Sequence, residues 1–359
     1  MRTLYHIFCF TMSSVIYGGN LSIFEIELSG LITNPKQEIS GMDWFENRLF
    51  FLPENQNGFL FSLEKNQIIA AIKNQDTMDQ KPLTPKQTKF NAPNYADLIP
   101  GFEGFEGISF VEDNIYITVE AENDGIMESY LIWGDVDRST YAVTIPRKNL
   151  KNIKTPIQVK NMTYESIVTW NKKIYAIFEA NGANLQKQAT QKALSIIDKT
   201  ISPIDFPSIE YRITDATKVD NNGKFWCINY FWPGDKKLLK PKTNAAFNNF
   251  DKKDGSKDLD AVERLIELEI KNNEIIISDS EPIQLILDEK FNWSDGEIQT
   301  RQWKIIKKDN HNYEGTAADV VGTAKGFSYG SAFKFEYVLL VPVKGKEIQI
   351  TFDDWIFKQ

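Results

Sequence analysis

The chain has 359 residues, of which 42% are hydrophobic and 13% are aromatic. So large a share of apolar side chains supplies a sizeable core and excludes a wholly disordered chain. The formal net charge of −8 argues against a nucleic acid or an anionic membrane as a partner, because binding either one requires clustered lysine and arginine.

The N-terminus has the features of an export signal. Arg2 supplies a positive charge, residues 3–17 are mostly apolar, and Gly18 and Gly19 offer a small-residue cleavage site. These features predict a signal peptide over residues 1–19 and an exported protein that is periplasmic, attached to the cell surface or secreted. The alternative is a buried first strand. No later run approaches the roughly 20 apolar residues of a membrane span.

Four segments share one internal spacing. Ser40 to Glu54, Glu106 to Glu120 and Glu165 to Glu179 have equal lengths, and Asp215 to Tyr230 is one residue longer. In each segment a short apolar run, a polar turn and a second apolar run follow one another, which is the pattern of a β-hairpin. Since self-similarity at a fixed spacing indicates a repeat architecture, we expect β-hairpins in series with acidic residues at most of their ends.

The spacing of the hairpins favours a β-propeller. Their centres fall near residues 47, 113, 172 and 222, which leaves room for four-stranded blades with long loops. A further copy begins at Tyr313, with a second strand over Tyr337–Val343, and one more blade is predicted over residues 275–307. We therefore predict an all-β, six-bladed β-propeller with long loop insertions, formed by a single domain over residues 20–359.

Three segments between the hairpins have other compositions. Residues 73–100 are rich in proline and residues 236–260 in lysine, asparagine and aspartate. Both are predicted to be long surface loops, where binding determinants often lie. Residues 184–197 are predicted to contain a short helix.

The acidic hairpin ends are the candidate functional residues. Glu106 and Glu120 are equally distant from the turn centre at Asp113, so antiparallel pairing is expected to place them opposite one another; the same construction pairs Glu165 with Glu179. The first strand of each propeller blade lines the central channel, so equivalent residues converge on its mouth. The predicted ring consists of Ser40, Glu106, Glu165, Asp215 and Glu314, with Glu54, Glu120 and Glu179 behind it.

Crowded carboxyl groups require compensation by protons, basic residues or a cation. Carboxylate oxygens suit Ca²⁺, and less often Mg²⁺ or Mn²⁺, whereas two histidines and two cysteines are too few for a typical multi-histidine or thiolate zinc site. Ca²⁺ is therefore the predicted ion. Alternatively, the acids pair with Arg212, Arg301 or backbone N–H groups and line a water-filled tunnel. The predicted metal ligands are Glu54, Glu106, Glu120, Glu165, Glu179, Asp215 and Glu314.

Several motifs resemble those of the esterase-like phytases, which are related in shape to six-bladed propellers of the lactonase type. They are Phe105–Ser109, Arg212–Thr217 followed by Gly223–Trp226, and Val262–Leu265 with Asn312–Gly315. The resemblance covers roughly residues 25–345. It implies an exported bacterial propeller with an acidic channel mouth. The chain departs from the pattern at Tyr230 and Phe231, where the family often carries an arginine-rich segment, so phosphate binding does not follow from the resemblance.

Two functions fit these features. In the first, a divalent cation at the channel mouth supports hydrolysis of a small ester or phosphoester, with Glu106 or Glu314 as the general base for a water molecule. In the second, the protein is a non-catalytic ligand- or protein-binding propeller at the cell surface, which recognises its ligand through the two long loops. Propellers host many functions, so the fold does not choose between them. We expect a monomer with no nucleic-acid partner.

Overall fold

The structure is a computed structural model that describes residues 26–54, 58–74, 81–195, 197, 199–231, 233–242, 262–284, 287–292, 298–307, 312–317, 320–329, 332–343 and 346–357. The predicted signal peptide, residues 1–19, lies outside the described residues, as does 243–260 of the second predicted loop. The fold is mainly β, as predicted.

The chain divides into two compact units, and the single domain over residues 20–359 stays a prediction. Phe24–Ile283 form the first, called the N-terminal unit, and residues 284–359 with 1–23 form the second, called the C-terminal unit.

The first sheet of the N-terminal unit follows two short 3-10 helices, Leu31–Thr33 and Pro35–Gln37. Between its third and fourth strands lies helix α1 (Lys65–Lys73), which begins with a capping box between Glu64 and Gln67. The strands of the sheet are β1 (Ile39–Phe45), β2 (Arg48–Pro53), β3 (Phe59–Glu64) and β4 (Lys86–Asn91).

The prediction of a long loop over residues 73–100 is wrong. That segment contains β4 and the 3-10 helix Tyr95–Asp97. Along β4, Thr88 and Phe90 are buried while their neighbours are exposed. This alternation marks a half-buried strand, although proline and glutamine dominate the surrounding composition.

The second sheet is continuous with the first. β8 pairs with β7 and, in parallel, with β4, which gives the order β1-β2-β3-β4-β8-β7-β6-β5, while β9 also pairs with β7. The strands of the second sheet are β5 (Phe102–Val111), β6 (Asn114–Asn123), β7 (Ile126–Val136), β8 (Val143–Thr144) and β9 (Leu150–Asn152).

The third sheet is an antiparallel meander of four strands. The helix predicted over residues 184–197 is wrong, because β12 occupies this segment and pairs with strands on both sides, and tertiary pairing overrides local propensity. The strands are β10 (Tyr164–Trp170), β11 (Lys173–Phe178), β12 (Thr190–Ser195) and β13 (Ile201–Asp205).

In the fourth sheet, a long segment of the chain separates the second strand from the third. The 3-10 helix Pro233–Asp235 and helix α2 (Lys236–Leu239) follow its second strand. Its strands are β14 (Arg212–Ala216), β15 (Lys224–Phe231), β16 (Val262–Lys271), β17 (Glu274–Ile277) and β18 (Ile283–Gln284).

The first strands of successive sheets lie side by side in the N-terminal unit. β1 contacts β5, β5 contacts β10, and β10 contacts β14. Three apolar clusters fill the spaces between successive sheets. Four-stranded sheets with neighbouring first strands are the arrangement of propeller blades, so all four repeated hairpins begin blade-like sheets.

The C-terminal unit has a different design. Its six strands form one antiparallel meander, with Phe335, Tyr337 and Leu339 among its buried side chains. The strands are β19 (Leu287–Asn292), β20 (Ile298–Lys307), β21 (Asn312–Thr316), β22 (Ala324–Tyr329), β23 (Ala332–Val343) and β24 (Lys346–Phe357).

The two blades predicted in the C-terminal region are not found as predicted. The start of the segment 275–307 belongs to β17 of the fourth sheet, and β21 pairs with β20 and β22 instead of with residues 337–343. The count of six blades stays a prediction. Among the described residues, no helix combines the length and the apolar character that crossing a bilayer requires.

Candidate functional site

Each first strand of the N-terminal unit has a β-bulge at the same place. In each of these strands, the register of pairing with the second strand of the same sheet skips one or two residues. A bulge turns side chains out of the regular alternation and is common beside active sites. The residues at the skips are Ser40 in β1, Glu106 and Gly107 in β5, Glu165 in β10, and Thr214 and Asp215 in β14.

The bulges correct the predicted pairing of the acids. Glu120 lies opposite Gly104 instead of Glu106. Glu165 has no partner in the ladder, because Tyr164 pairs with Phe178 and the next pair joins Ser166 to Ile177. The predicted pairing of these acids is therefore wrong in its geometry, because irregular backbone directs the acids on the first strands; their roles as ligands stay a prediction.

Two glycines, one within a bulge and one directly after a bulge, let neighbouring first strands approach each other closely. A Cβ atom added to Gly41 would lie 2.8 Å from the carbonyl oxygen of Glu106, and one added to Gly107 would lie 2.7 Å from that of Glu165. Ser40 Oγ also donates a hydrogen bond of 2.5 Å to the carbonyl oxygen of Phe105. The narrow spacing brings Ser40 of β1 and the acidic side chains of β5 and β10 to one place.

That place is a cavity of about 630 Å³. It contains Ser40 and six of the seven predicted metal ligands, which come from all four sheets or from the ends of their strands. Glu314 lies in β21 of the C-terminal unit, and its predicted roles stay a prediction. The lining residues are Ile39, Ser40, Gly41, Met42, Glu54, Glu103, Glu106, Glu120, Asn161, Glu165, Glu179, Arg212, Thr214, Asp215 and Ile228.

Three glutamates form the centre of the acidic cluster. One carboxylate oxygen from each of Glu106, Glu120 and Glu165 lies within 4.8 Å of the other two. Glu106 and Glu120 are buried, with exposed fractions of 8% and 5%. Carboxyl groups so close together and so poorly solvated cannot all be ionised unless a cation compensates their charge. Without a cation, some of them take up protons.

The acid–base properties of the three glutamates reflect this crowding. Burial, followed by the charges of Glu165 and Glu120, raises the pKa of Glu106 to about 11. Burial and then the charge of Glu165 raise the pKa of Glu120 to about 8. Burial also raises the pKa of Glu165, against the opposing effects of the Arg212 charge and of hydrogen bonds with Glu106 and Glu179.

Two further acids have pKa values near neutrality. Burial, and then the charges of Glu38, Glu165 and Glu103, raise the pKa of Glu54 to about 7. Burial raises the pKa of Asp215 to about 7 although its carboxylate accepts a hydrogen bond from the backbone N–H of Ala216. Both groups change protonation state in the range in which general bases work.

Arg212 is the one cationic side chain among the lining residues. Its Nε lies 2.5 Å from Oε1 of Glu179 and 3.8 Å from Oδ2 of Asp235. Its Nη2 donates a hydrogen bond of 3.0 Å to the carbonyl oxygen of Asn161. Of the two arginines that the sequence offers as partners for the acids, Arg212 pairs with Glu179. Arg301 lies in β20 of the C-terminal unit.

The sequence reasoning missed several lining residues. Glu103 lies in the same acidic stretch as Glu106 but outside the repeated spacing, and Asn161 precedes β10 in a loop. Three apolar residues, Ile39, Met42 and Ile228, also line the cavity. Ile39 and Met42 lie within two residues of Ser40, which the repeated spacing identifies, whereas no signal in the sequence marks Ile228 of β15.

One protein-family model matches the C-terminal part of the chain. A family model described as "Protein of unknown function (DUF3833)" matches residues 264–359, which is less than half of the chain. No curated protein matches the chain.

Solved structures resemble the chain over most of its length. An exo-1,5-α-L-arabinanase from a bovine ruminal metagenomic library has 10% identity and a TM-score of 0.39, with 88% of this chain and 92% of that chain covered. A hypothetical selenium-binding protein from Sulfolobus tokodaii has 10% identity and a TM-score of 0.36, with 89% and 82% covered.

A mutant of an α-L-arabinofuranosidase from Fusarium graminearum, in complex with an iminosugar inhibitor, has 9% identity and a TM-score of 0.36, with 97% of this chain and 98% of that chain covered. At such identities and TM-scores, these resemblances assign neither a reaction nor a substrate to this chain. The resemblance to esterase-like phytases stays a prediction, and the function is argued from the site itself.

Proposed function

We propose that the N-terminal unit binds a divalent cation, with Ca²⁺ as the first candidate, through Glu106, Glu120 and Glu165, and that this site hydrolyses a small ester or phosphoester. The proposal is carried by the 4.8 Å limit on the distances between the three carboxylate oxygens. Ca²⁺ binds oxygen at about 2.3–2.6 Å, so ligands on opposite sides of one ion lie roughly 5 Å apart. The three oxygens thus fit one coordination shell.

Two further observations support a cation. Oε2 of Glu120 and Oε2 of Glu179 are buried and accept no hydrogen bond from the described residues, and buried carboxylate oxygens are costly without a partner. Arg212 forms its ion pair with Glu179 at 2.5 Å, and no second basic side chain lines the cavity to compensate the central three glutamates.

A bound divalent cation supplies positive charge that polarises an ester or phosphoryl oxygen. Among the residues of the chain, Asp215 is the general base that we favour, because it lines the same cavity and its pKa is raised to about 7. Glu106, favoured from the sequence together with Glu314, is better suited as a ligand, because it belongs to the central three. Asp215 takes a proton from a water molecule as the water oxygen bonds to the acyl carbon or the phosphorus. The bond from that atom to the alcohol oxygen then breaks, and the protonated Asp215 returns the proton to the leaving alkoxide, so that an alcohol and an acid are released.

Calorimetric titration of EDTA-stripped protein with Ca²⁺ tests the cation site. We expect binding heat and a rise in melting temperature in the wild type, and loss of both in Glu120→Gln and Glu165→Gln. Glu122→Gln is the matched control, because Glu122 lies on the same strand as Glu120 but does not line the cavity. Absence of heat and of a melting shift in the wild type would contradict the cation site.

Turnover of p-nitrophenyl acetate and p-nitrophenyl phosphate by the Ca²⁺-loaded protein tests hydrolysis. Ca²⁺ binding without turnover of either compound would favour the non-catalytic binding function over the enzymatic one.

A further inference from the structure

The cavity combines an acidic floor with an apolar rim, which we define as Ile39, Met42 and Ile228. These side chains retain exposed fractions of 36%, 42% and 39%, and all three line the cavity. Single exposed apolar residues are ordinary on a protein surface. Three at one concave site that also holds convergent polar groups are typical of a ligand pocket.

The rim comes from two different sheets. Ile39 and Met42 flank the bulge of β1, and Ile228 lies on β15, next to the strand that carries Asp215. A ligand that reaches the acids therefore passes apolar side chains from both the first and the fourth sheets.

The charge of the lining disfavours an anionic ligand. Seven carboxyl groups line the cavity and one cationic side chain accompanies them. That side chain, Arg212, is occupied by Glu179, by Asp235 and by the carbonyl oxygen of Asn161. One divalent cation compensates at most two of the negative charges, and the one cationic side chain that lines the cavity is already engaged, so the lining offers no further positive group to bind a phosphate.

From the rim and the charge together we infer that the site takes an uncharged carboxylic ester with a short apolar acyl chain, which packs on the apolar rim, and that it rejects phosphoesters. This inference rests on the proposed function in one respect only, which is that the reacting group of the ligand is an ester. Ile39, Met42 and Ile228 set specificity by contact with the acyl chain, while the acidic floor excludes anions.

Uncharged, unreactive anilides separate recognition from catalysis. Acetanilide, butyranilide and phenyl phosphate are titrated calorimetrically into the Ca²⁺-loaded protein and, in parallel, into the Ca²⁺-free protein. We expect butyranilide to bind about tenfold more tightly than acetanilide, because its acyl chain has two additional methylene groups to bury on the partly exposed rim. We expect phenyl phosphate not to bind in either state.

Two variants test the rim directly. Met42→Ser and Ile228→Ser are each expected to weaken butyranilide binding about tenfold and to leave acetanilide and Ca²⁺ affinities unchanged, which also shows that the variants are folded. Ile126→Ser is the matched control, because Ile126 is 55% exposed and lies outside the cavity.

The inference would be overturned if phenyl phosphate bound as tightly as butyranilide, or if butyranilide binding were undetectable. It would also be overturned if both rim variants bound butyranilide with the affinity of the wild type. A protein that binds butyranilide as expected but hydrolyses no p-nitrophenyl ester would confirm the ligand class and refute the proposed hydrolysis. The two failures are therefore distinguishable.

Discussion

Arg212 and Glu179 form an ion pair at the acidic cavity, with 2.5 Å between Nε and Oε1 and exposed fractions of 19% and 1%. The Arg212 charge opposes the effect of burial on the pKa values of both Glu165 and Glu179. One guanidinium group therefore favours the ionised form of two neighbouring carboxyl groups, although burial keeps both pKa values above the usual value.

Arg212→Gln is expected to lower the free energy of unfolding by about 3–5 kcal/mol, because it leaves a buried carboxylate without its partner. Urea denaturation in EDTA measures the change. In the control Arg138→Gln, the ion pairs of the exposed Arg138 with Glu46 and with Asp113 are lost; because such solvent-exposed pairs contribute little, we expect a clearly smaller loss than in Arg212→Gln. Equal losses in the two variants would contradict the role of Arg212.

The raised carboxyl pKa values predict that the cation-free protein loses stability as the pH rises. Unfolded glutamate and aspartate titrate near 4.5 and 3.8, whereas the folded pKa values are about 7 for Glu54 and Asp215 and about 8 for Glu120. Between these values the folded state holds more protons than the unfolded state, so the free energy of unfolding falls with pH. The stabilisation is complete below about pH 4 and lost by about pH 8.

Melting curves from pH 4 to pH 8.5 in EDTA measure this dependence. Glu120→Gln should flatten the slope, because the amide does not titrate, and Glu122→Gln should leave it unchanged. Added Ca²⁺ should raise the melting temperature more at pH 8 than at pH 5, since the cation competes with protons for the same oxygens. A Ca²⁺ effect that is equal at both values would place the ion elsewhere.

Gly107 is expected to be essential for the geometry of the cation site. In Gly107→Ala the new methyl group would lie 2.7 Å from the carbonyl oxygen of Glu165, so β5 and β10 must separate. We expect a loss of about 1–3 kcal/mol in unfolding free energy, as for other overpacked sites, together with weaker Ca²⁺ binding, measured by calorimetry.

Gly125→Ala is the control for Gly107→Ala. Gly125 has a φ of 78° but open space around it, so alanine there costs backbone strain of about 1–2 kcal/mol without moving the first strands. Its Ca²⁺ affinity should equal that of the wild type. Unchanged Ca²⁺ affinity in Gly107→Ala would show that strand spacing does not set the site.

The repeated hairpins explain how much of this arrangement was predictable. Equal spacing between acids identifies strand ends, because a turn of fixed length fixes the register of a regular ladder. The mainly β fold and the convergence of Glu106, Glu165 and Asp215 followed from that spacing. The bulges did not, because an extra residue in one strand leaves no periodic mark in the sequence, and they decide which way Glu106 and Glu165 point.

Other features lay beyond the sequence for different reasons. The sequence offers Arg212 as a partner of the acids but does not show which acid it meets: Arg212 pairs with Glu179 because Ala180 and Arg212 form a bridge between the third and fourth sheets, which is a contact between distant segments. β12 and β4 were missed because their pairing partners, not their compositions, make them strands. The apolar rim combines residues far apart in the chain, so hydropathy along the chain does not reveal it.

Asp215→Asn separates a general base from a cation ligand. The amide oxygen of asparagine still accepts the hydrogen bond from Ala216 N–H, which is 2.7 Å long in the structure, but asparagine cannot take a proton from water. We expect kcat for p-nitrophenyl butyrate to fall at least about 100-fold, within the range for lost general base catalysis, with Ca²⁺ affinity retained. Asp135→Asn, at an exposed position of β7 outside the cavity, should keep wild-type kcat. Loss of Ca²⁺ binding in Asp215→Asn would make Asp215 a ligand instead of the base, and unchanged kcat would exclude both its proposed role and a rate-limiting proton transfer at this carboxylate.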